Sequence, residues 1–301
     1  MTTVSAAAAA AAKLNLYLHV LGKRPDGYHE LDSLVVFATA HDLITVTEAP
    51  GFSLAIDGPF GSTLVAEGTG RNLVSRAAHA LADALGRDPH VAIRLTKNLP
   101  VASGIGGGSA DAAATLKALA ELWGVAQDDA RLVELAPTLG ADVPVCLFGR
   151  TAYFGGAGEQ VVAGPTLPPA ALLLVNPGVH MPTKDVFAAR TGAWSTAGRL
   201  ERDPVDVADF AQLLRARGND LGAAAESLSP AITEVLAALD ATPGCLLARM
   251  SGSGATCIGL YADVAAAASA AALINRVRPT WWVKATALLP EVPAAEVVAD
   301  A

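Results

Sequence analysis

Between Leu99 and Leu119 the sequence LPVASGIGGGSADAAATLKAL sets Gly104, Gly106, Gly107 and Gly108 between two serines, Ser103 and Ser109, directly ahead of an alanine-rich helical stretch. Backbone N–H groups at a helix N-terminus, unobstructed by side chains and joined by hydroxyls, make a site for phosphate. A flexible linker shares this composition, but the run follows the alternating segment VAIRL (Val91, Ile93 and Leu95 on one face) and leads straight into a helix former. A packing turn needs one or two glycines, not four. The Walker loop requires a lysine after its last glycine, and none follows a glycine in this run. The dinucleotide fingerprint, counted from Gly104 and Gly106, meets Ser109 where its third glycine belongs.

A site that moves a phosphoryl group to an alcohol also needs a group to orient the attacking hydroxyl. A carboxylate kept ionised by a nearby cation suits that task, and Asp142 in LGADVPV and Lys13 in AKLNL are of the right types. They lie in distant parts of the chain, so spacing does not bring them together. An N-cap on the short helix of DVPVCL for Asp142 and a solvated strand end for Lys13 remain open on the residues alone.

With 301 residues, 52% of them hydrophobic and 17% charged, the chain can bury a large core as one large domain or two moderate ones. A formal net charge of -8 without a Lys/Arg cluster argues against a nucleic-acid partner. Cys146, Cys245 and Cys257 are far apart and form no C-x-x-C, which indicates neither a zinc site nor a disulfide framework and suits buried thiols in the cytoplasm. The run Ala6 to Ala12 has no basic residue before it and ends at Lys13, unlike a secretory leader. No membrane partner is expected.

The elements that must hold these groups are β-rich at first. KLNLYLHVLG alternates at Leu14, Leu16, Leu18 and Val20, predicting a strand with Lys13, Asn15 and Tyr17 on its other face or at its start. RPDGYHEL carries a turn signal, and SLVVFATA, LITVTEA and FSLAI read as further strands. NLVSRAAHALADALG predicts a helix from its N-cap Asn72 to Gly86. After the glycine run, a helix is expected from Ala110 to Trp123, another in DDARLVELAPTLG broken at Pro137, and a short one in DVPVCL. TAYFGGAGEQVVA reads as a hairpin with Gly155 and Gly156 in its turn. Pro165, Pro168 and Pro169 mark a boundary between units 1–165 and 166–301, with the last strand able to return to the first unit. The second unit mixes strands (ALLLVNPG, CLLARM, TCIGLY, WWVKATALL) with helices around Asp206 to Ala216, around Pro230 to Leu239 and in DVAAAASAAALINRV, as in a small α+β sandwich.

The pattern Pro-x-x-x-Gly-x-Gly-x-x-Ser-Ala, from Pro100 to Ala110, is similar to the phosphate loop of the GHMP kinases, named for galactokinase, homoserine kinase, mevalonate kinase and phosphomevalonate kinase. AKLNLYLHVLGKRPDGYHEL, LGADVPVCLFG, PGVHMPTKDVF, GNDL and MSGSGAT follow the order of the branch that phosphorylates a cytidine-diphosphate-linked polyol in non-mevalonate isoprenoid synthesis, and the blocks span Lys13 to Thr256. The resemblance implies a two-domain α+β fold, the N-terminal domain like ribosomal protein S5 domain 2 and the C-terminal one a ferredoxin-like α/β sandwich, with the active site in the cleft between. It implies ATP and Mg²⁺ as cofactors, Asp142 as base and Lys13 as its electrostatic partner. Asn15 and Thr183 would hold the substrate, Tyr28 and Phe187 would sandwich the cytosine, and His29 would read it. ATP would lie on Pro100, Ser103, Gly104, Ile105, Gly106, Gly107, Gly108, Ser109 and Ala110, bordered by Lys97 and, at the adenine, by Asn72. The loop of Gly252, Ser253 and Gly254 would close the phosphate end. Protein ligands for Mg²⁺ are left open.

One departure is that Ala110 is followed by Asp111 where several family members carry a second serine. A homoserine- or mevalonate-type kinase would have no evident use for Tyr28, His29 and Phe187. A non-catalytic nucleotide-binding homologue would be expected to have lost Asp142 or Lys13. A monomer or weak homodimer is expected.

Overall fold

The alanine run is part of the first strand rather than a lead-in to it. In the computed structural model, which describes residues 4–67 and 72–298, β1 covers Ser5–Lys23 and pairs along its length with antiparallel β2, His29–Glu48. Alanine is a poor strand former and its repeat carries no alternation. Pairing to β2 and packing beneath a helix override that local preference. The segments SLVVFATA and LITVTEA are likewise one continuous strand, since His41 and Asp42 between them stay paired with Ala11 and Ala10 of β1.

Then follow β3 (Ser53–Asp57), α1 (Gly61–Glu67), α2 (Leu73–Ala84), β4 (Val91–Thr96), α3 (Gly107–Leu122), α4 (Ala130–Leu139) and α5 (Val143–Phe148). The hairpin β5 (Ala152–Gly156) and β6 (Gln160–Ala163) ends this half, and residues 164–170 run irregularly into β7 (Ala171–Asn176). Beyond lie α6 (Thr183–Ala189), α7 (Val207–Arg215), α8 (Gly222–Leu228), α9 (Ala231–Asp240), β8 (Leu247–Met250), β9 (Cys257–Tyr261), α10 (Val264–Val277), β10 (Trp282–Leu289) and β11 (Glu296–Val298). The main strand order is β11-β1-β2-β10-β7-β9-β8. The outer edge of β2 is shared by β5 at Leu31 to Val35, β10 at Phe37 and Ala38, and β4 at Leu43 to Glu48. At the other end β11 comes back to pair with Ser5 to Ala7 of β1.

Three local expectations need correction. The β5–β6 turn is made by residues 157–159, with Glu159 accepting from the Ala157 amide, so Gly155 and Gly156 end the strand. Helix α4 runs through Pro137, because the carbonyl that the proline leaves unbonded belongs to exposed Val133 and is open to water. Helices α6 and α8 are short and lack a readable apolar period.

One core packs β1 and β2 against α2 to α5 through Phe37, Ile44, Leu81, Ile93 and Leu119. A second lies under β7 and β9 with α8 to α10, around Leu173, Ile232, Val235 and Ile274. A third joins them through Leu14, Leu16, Tyr17, Leu34, Leu172 and Phe210. Helix α3 meets β1 alanine to alanine, which permits close approach and leaves a small cavity bounded by Ala9, Ala10, Ala114, Lys117 and Cys146. The three cysteines are unpaired, and burial pushes the Cys146 thiol up to about 12. No helix among the described residues is long and apolar enough to cross a membrane.

Ala112 is fully buried in the core that α3 shares with the sheet and the neighbouring helices. Ala112→Leu should therefore lower stability by about 1–3 kcal/mol through overpacking, read as a fall in the denaturant midpoint. An unchanged midpoint would show that α3 can shift against its neighbours without cost.

Candidate active site

Two register shifts in β1, at Ala11/Lys13 and Asn15/Tyr17, bracket Lys13 and Asn15 with bulges. Bulges re-aim side chains, and here the Lys13 ammonium donates to Asn15 Oδ1 at 3.1 Å. Asp142 stands at the head of α5 in the N-cap position but makes no cap bond. Its Oδ2 instead lies 2.9 Å from Lys13 Nζ, which brings together two residues that sequence spacing leaves apart. The lysine side chain is 5% exposed and the aspartate 32%, so the pair is sealed on the lysine side and open on the carboxylate side. A buried ammonium next to a reachable carboxylate holds that carboxylate as an acceptor of protons from a bound hydroxyl.

The glycine loop ends against the same lysine. Gly106 has φ +64° and caps α3, and a Cβ there would fall 2.9 Å from Lys13 Cε. No side chain caps the helix, so the amides of Gly107, Gly108 and Ser109, all at least partly exposed, are free of intrahelical partners. The other loop residues are framework: the Ser103 hydroxyl donates to Pro100 O, the Ile105 carbonyl accepts from the Lys13 amide, and the Ala110 amide closes the first helical turn onto Gly106 O. Ala102 is held at φ +50°, a strained conformation for alanine of the kind that collects at functional loops.

Lys97 sits behind this loop, its side chain 2% exposed, with its ammonium bonded to Asp42 and, at 2.7 Å, to Asp111 of α3. Asp42 Oδ1 also accepts the amides of Asn98 and Leu99, where the chain enters the loop. Burial drives the Asp111 carboxyl up, with Lys97 opposing it and Asp42 adding to it, and Asp111 Oδ1 has no hydrogen-bond partner. Burial alone would lower Lys97, yet the two carboxylates raise it. Two of the three donors of the ammonium are thus taken by protein carboxylates. Asn72 caps α2 by accepting from the Val74 amide at 2.9 Å.

The loop of Gly252, Ser253 and Gly254 interlocks with the first. Ser251 Oγ accepts from the Asn15 amide and donates to Gly104 O, and the Thr256 amide donates to Ser103 O. Asn219 Nδ2 holds the carbonyls of Met250 and Gly252. The hydroxyls of Ser253 and Thr183 bond to each other at 2.9 Å, and Phe187 is one helical turn beyond Thr183 on α6. The Phe187 ring stacks on His29, 4.7 Å between centroids and 22° between planes. A base inserted between two rings needs roughly 7 Å, twice a carbon contact distance, so His29 covers one face of Phe187 and closes that side of the expected sandwich. Tyr28 is 62% exposed beside them. Burial first, then Lys23 and Arg190, hold His29 below its usual value.

Sequence reasoning missed Ser251, Asn219, Asp42 and Asp111. GNDL and MSGSGAT signalled a region, but these residues act on main-chain atoms or on Lys97, which motif spacing does not reveal.

Comparison with known proteins bears on this geometry. Residues 72–150 match the model of the GHMP kinases N terminal domain, and residues 201–277 that of the GHMP kinases C terminal domain. A 4-diphosphocytidyl-2-C-methyl-D-erythritol kinase of Rhodospirillum rubrum is 50% identical, over 95% of this chain and 95% of its own. The enzyme of that name from Paramagnetospirillum magneticum is 53% identical, over 93% and 97% respectively. Among solved structures, a 4-(cytidine 5'-diphospho)-2C-methyl-D-erythritol kinase superposes with TM-score 0.74 and 36% identity, covering 94% of this chain and 98% of that one. A homoserine kinase from Cytophaga hutchinsonii, TM-score 0.66 at 19% identity over 99% and 98%, shares the fold.

A Cβ on Gly104, whose φ is +76°, would lie 2.6 Å from the carbonyl oxygens of Gly254 and Ser251. Gly104→Ala should part the two loops at a cost of about 1–3 kcal/mol, seen as a lower denaturation midpoint. A variant as stable as the parent would mean that the loops are not interlocked.

Proposed function

The chain belongs to the GHMP kinase family, within its 4-diphosphocytidyl-2-C-methyl-D-erythritol kinases, and from that premise we propose that it moves the γ-phosphoryl group of ATP to the 2-hydroxyl of that cytidine compound, with Asp142 as base and Lys13 as its partner. The observation that carries this reading is the 2.9 Å Lys13–Asp142 pair at the foot of the glycine loop. Asp142 takes the proton of the bound hydroxyl as its oxygen attacks the γ-phosphorus. The bond to the β–γ bridging oxygen breaks and ADP leaves. Lys13 orients Asp142 through their ion pair and offsets charge growing on the attacking oxygen, while the free amides of Gly107 to Ser109 hold phosphate oxygens.

The acceptor lies along a line of contacts. Asn15 and Thr183 hold the acceptor, Tyr28 and the free face of Phe187 sandwich its cytosine, His29 reads the base, and the loop of Gly252, Ser253 and Gly254 closes the phosphate end. Lys97 acts through the loop it braces, and Asn72 borders the adenine. Residues 1–165 carry the nucleotide and 166–301 close over the acceptor, with β11 returning to the first unit.

Among the described residues no group of three or more His, Cys, Asp or Glu forms a metal cage. Mg²⁺ keeps several waters and takes substrate phosphates with one or two carboxylates, and the exposed side of Asp142 at the foot of the glycine loop fits that demand. Asp142 is the carboxylate placed to be one of them. When bound, the ion neutralises charge on the transferring phosphate.

Release of ADP tests the reading, with the cytidine compound, homoserine, mevalonate and no acceptor compared side by side. Turnover on the cytidine compound alone is expected, and turnover on another alcohol or on none sinks it. Asp142→Asn should lower kcat by about 10²- to 10⁴-fold with ATP affinity retained, and near-normal turnover in that variant would refute the base assignment. Because His29 is held below its usual value, it stays neutral at neutral pH. The Michaelis constant for the cytidine compound should therefore be flat above roughly pH 6.5, the ordinary histidine value, and rise only at lower pH. A rise beginning on the alkaline side would exclude neutral His29 as the reader.

A further inference from the structure

Two turns lie side by side at one corner of the sheet, because Leu31 and Asp32 near the start of β2 pair with Gly156 and Gly155 at the end of β5. One, residues 24–28, joins β1 to β2 and ends in Tyr28, and the other, residues 157–159, joins β5 to β6. Arg24 knits the first turn. Its amide donates to Tyr28 O at 2.8 Å, its guanidinium lies 3.0 Å from Asp26 Oδ2, and Asp26 Oδ1 accepts the Tyr28 amide at 3.1 Å.

Glu159 ties the second turn to the first. One carboxylate oxygen accepts the Ala157 amide at 2.7 Å and the other accepts from the Arg24 guanidinium at 2.8 Å, with Glu30 joining at 3.6 Å. The carboxylate folds back over Gly156, where a Cβ would collide with it. Burial works against its charge, but its own amide, Arg24 and the Ala157 amide hold the Glu159 carboxyl below its usual value. Isolated surface ion pairs contribute little, whereas this one joins an arginine to three carboxylates with main-chain bonds at both ends. The second turn also touches the reacting end of the site. Gly158, at φ +128°, packs so closely on the residue before Asp142 that a Cβ there would lie 2.5 Å from the Ala141 carbonyl oxygen. Three residues thus contact the main chain beside Asp142 on one side and the turn that carries Tyr28 on the other.

We propose that Glu159 is a positioning residue for the acceptor, which through Arg24 fixes the Tyr28 turn at a set reach from Asp142 and so favours an acceptor whose base and reacting hydroxyl are that far apart. This rests on the roles proposed above for Tyr28 and Asp142. Glu159 acts through Arg24 and main chain rather than on the substrate. Holding the turn in place before the acceptor arrives removes an ordering cost from binding, while the Gly158 contact beside Asp142 does not depend on the Glu159 charge.

Steady-state kinetics on two single variants and their combination test this. Glu159→Gln keeps the shape of the side chain and removes its charge. It should raise the Michaelis constant for the cytidine compound about threefold to fivefold, with kcat and the Michaelis constant for ATP unchanged within about twofold. Arg24→Ala should raise that constant at least as far, and Glu159→Gln added to Arg24→Ala should have no further effect, since its partner is already gone. An unchanged Michaelis constant for the cytidine compound in Glu159→Gln, a fall in kcat as large as the expected rise in that constant, or effects that simply multiply in the combined variant overturn the proposal. A parent without turnover on the cytidine compound overturns the functional reading and this inference with it. An active parent whose variants are unchanged overturns this inference alone.

Discussion

The edge of β1 that β2 does not cover has to be satisfied, and the loops around the proposed site help to satisfy it. Past its short pairing with β11, this edge has no strand beside it among the described residues, yet buried peptide groups cannot be left without partners. The Lys13 amide bonds to Ile105 O of the glycine loop, the Asn15 amide to Ser251, the Leu18 amide to Gly218 O and the Val20 amide to Asp220. The carbonyls of Leu16, Leu18 and Val20 are taken by Arg249, the Asp220 amide and the Ser195 amide. Segments far apart in sequence are thus gathered along one strand by ordinary hydrogen-bond demand, and each brings a functional feature with it.

Two lysines on this framework show how exposure separates chemistry from scaffolding. Both are buried and both are paired with aspartate. Lys97 faces two carboxylates that are themselves almost fully buried, so its ammonium is held from two sides by protein. Its three-group cluster ties β2, the entry to the glycine loop and α3 into one body, which keeps the free amides of the helix N-terminus aimed at one place. Lys13 faces a single carboxylate that is one-third open. A buried pair with both partners closed contributes rigidity, while a pair with one open partner can exchange a proton with a ligand.

What could be read from the sequence follows from how each residue acts. Side chains that work directly on a ligand come in recognisable types and order, and glycines that must keep their amides bare are legible as a run. Helix α2 was legible down to its cap because Asn72 acts on its own helix. The pairing of Lys13 with Asp142 was not, since it depends on β1 and α5 meeting in three dimensions. The length of β1 was hidden by alanines whose local preference opposes a strand, and α4 was misread at Pro137 because the cost of a helical proline depends on what the orphaned carbonyl meets. The stack of Phe187 on His29 was also out of reach, because it depends on how α6 docks against the start of β2.

Asp111 apart, which holds the Lys97 ammonium, the residues that escaped detection grip main chain. Ser251 bridges an amide of β1 and a carbonyl of the glycine loop, and Asn219 holds two carbonyls of the second loop. Arg249 goes further, giving its guanidinium to the carbonyls of Leu16, Leu214 and Arg217 with no carboxylate among these partners, and burial pushes it down to about 10. A buried cation without an acidic partner is costly unless oriented carbonyl dipoles replace the water it has lost. Here they also fasten β8 to β1 and to the end of α7, setting where the second loop meets the first. Because the partners are backbone atoms, almost any residue could follow or precede them, so no pairing pattern in the sequence betrays the contact. The placement of the Lys13–Asp142 pair therefore also rests on side chains that grip main-chain atoms, through carbonyls and amides that the sequence does not distinguish.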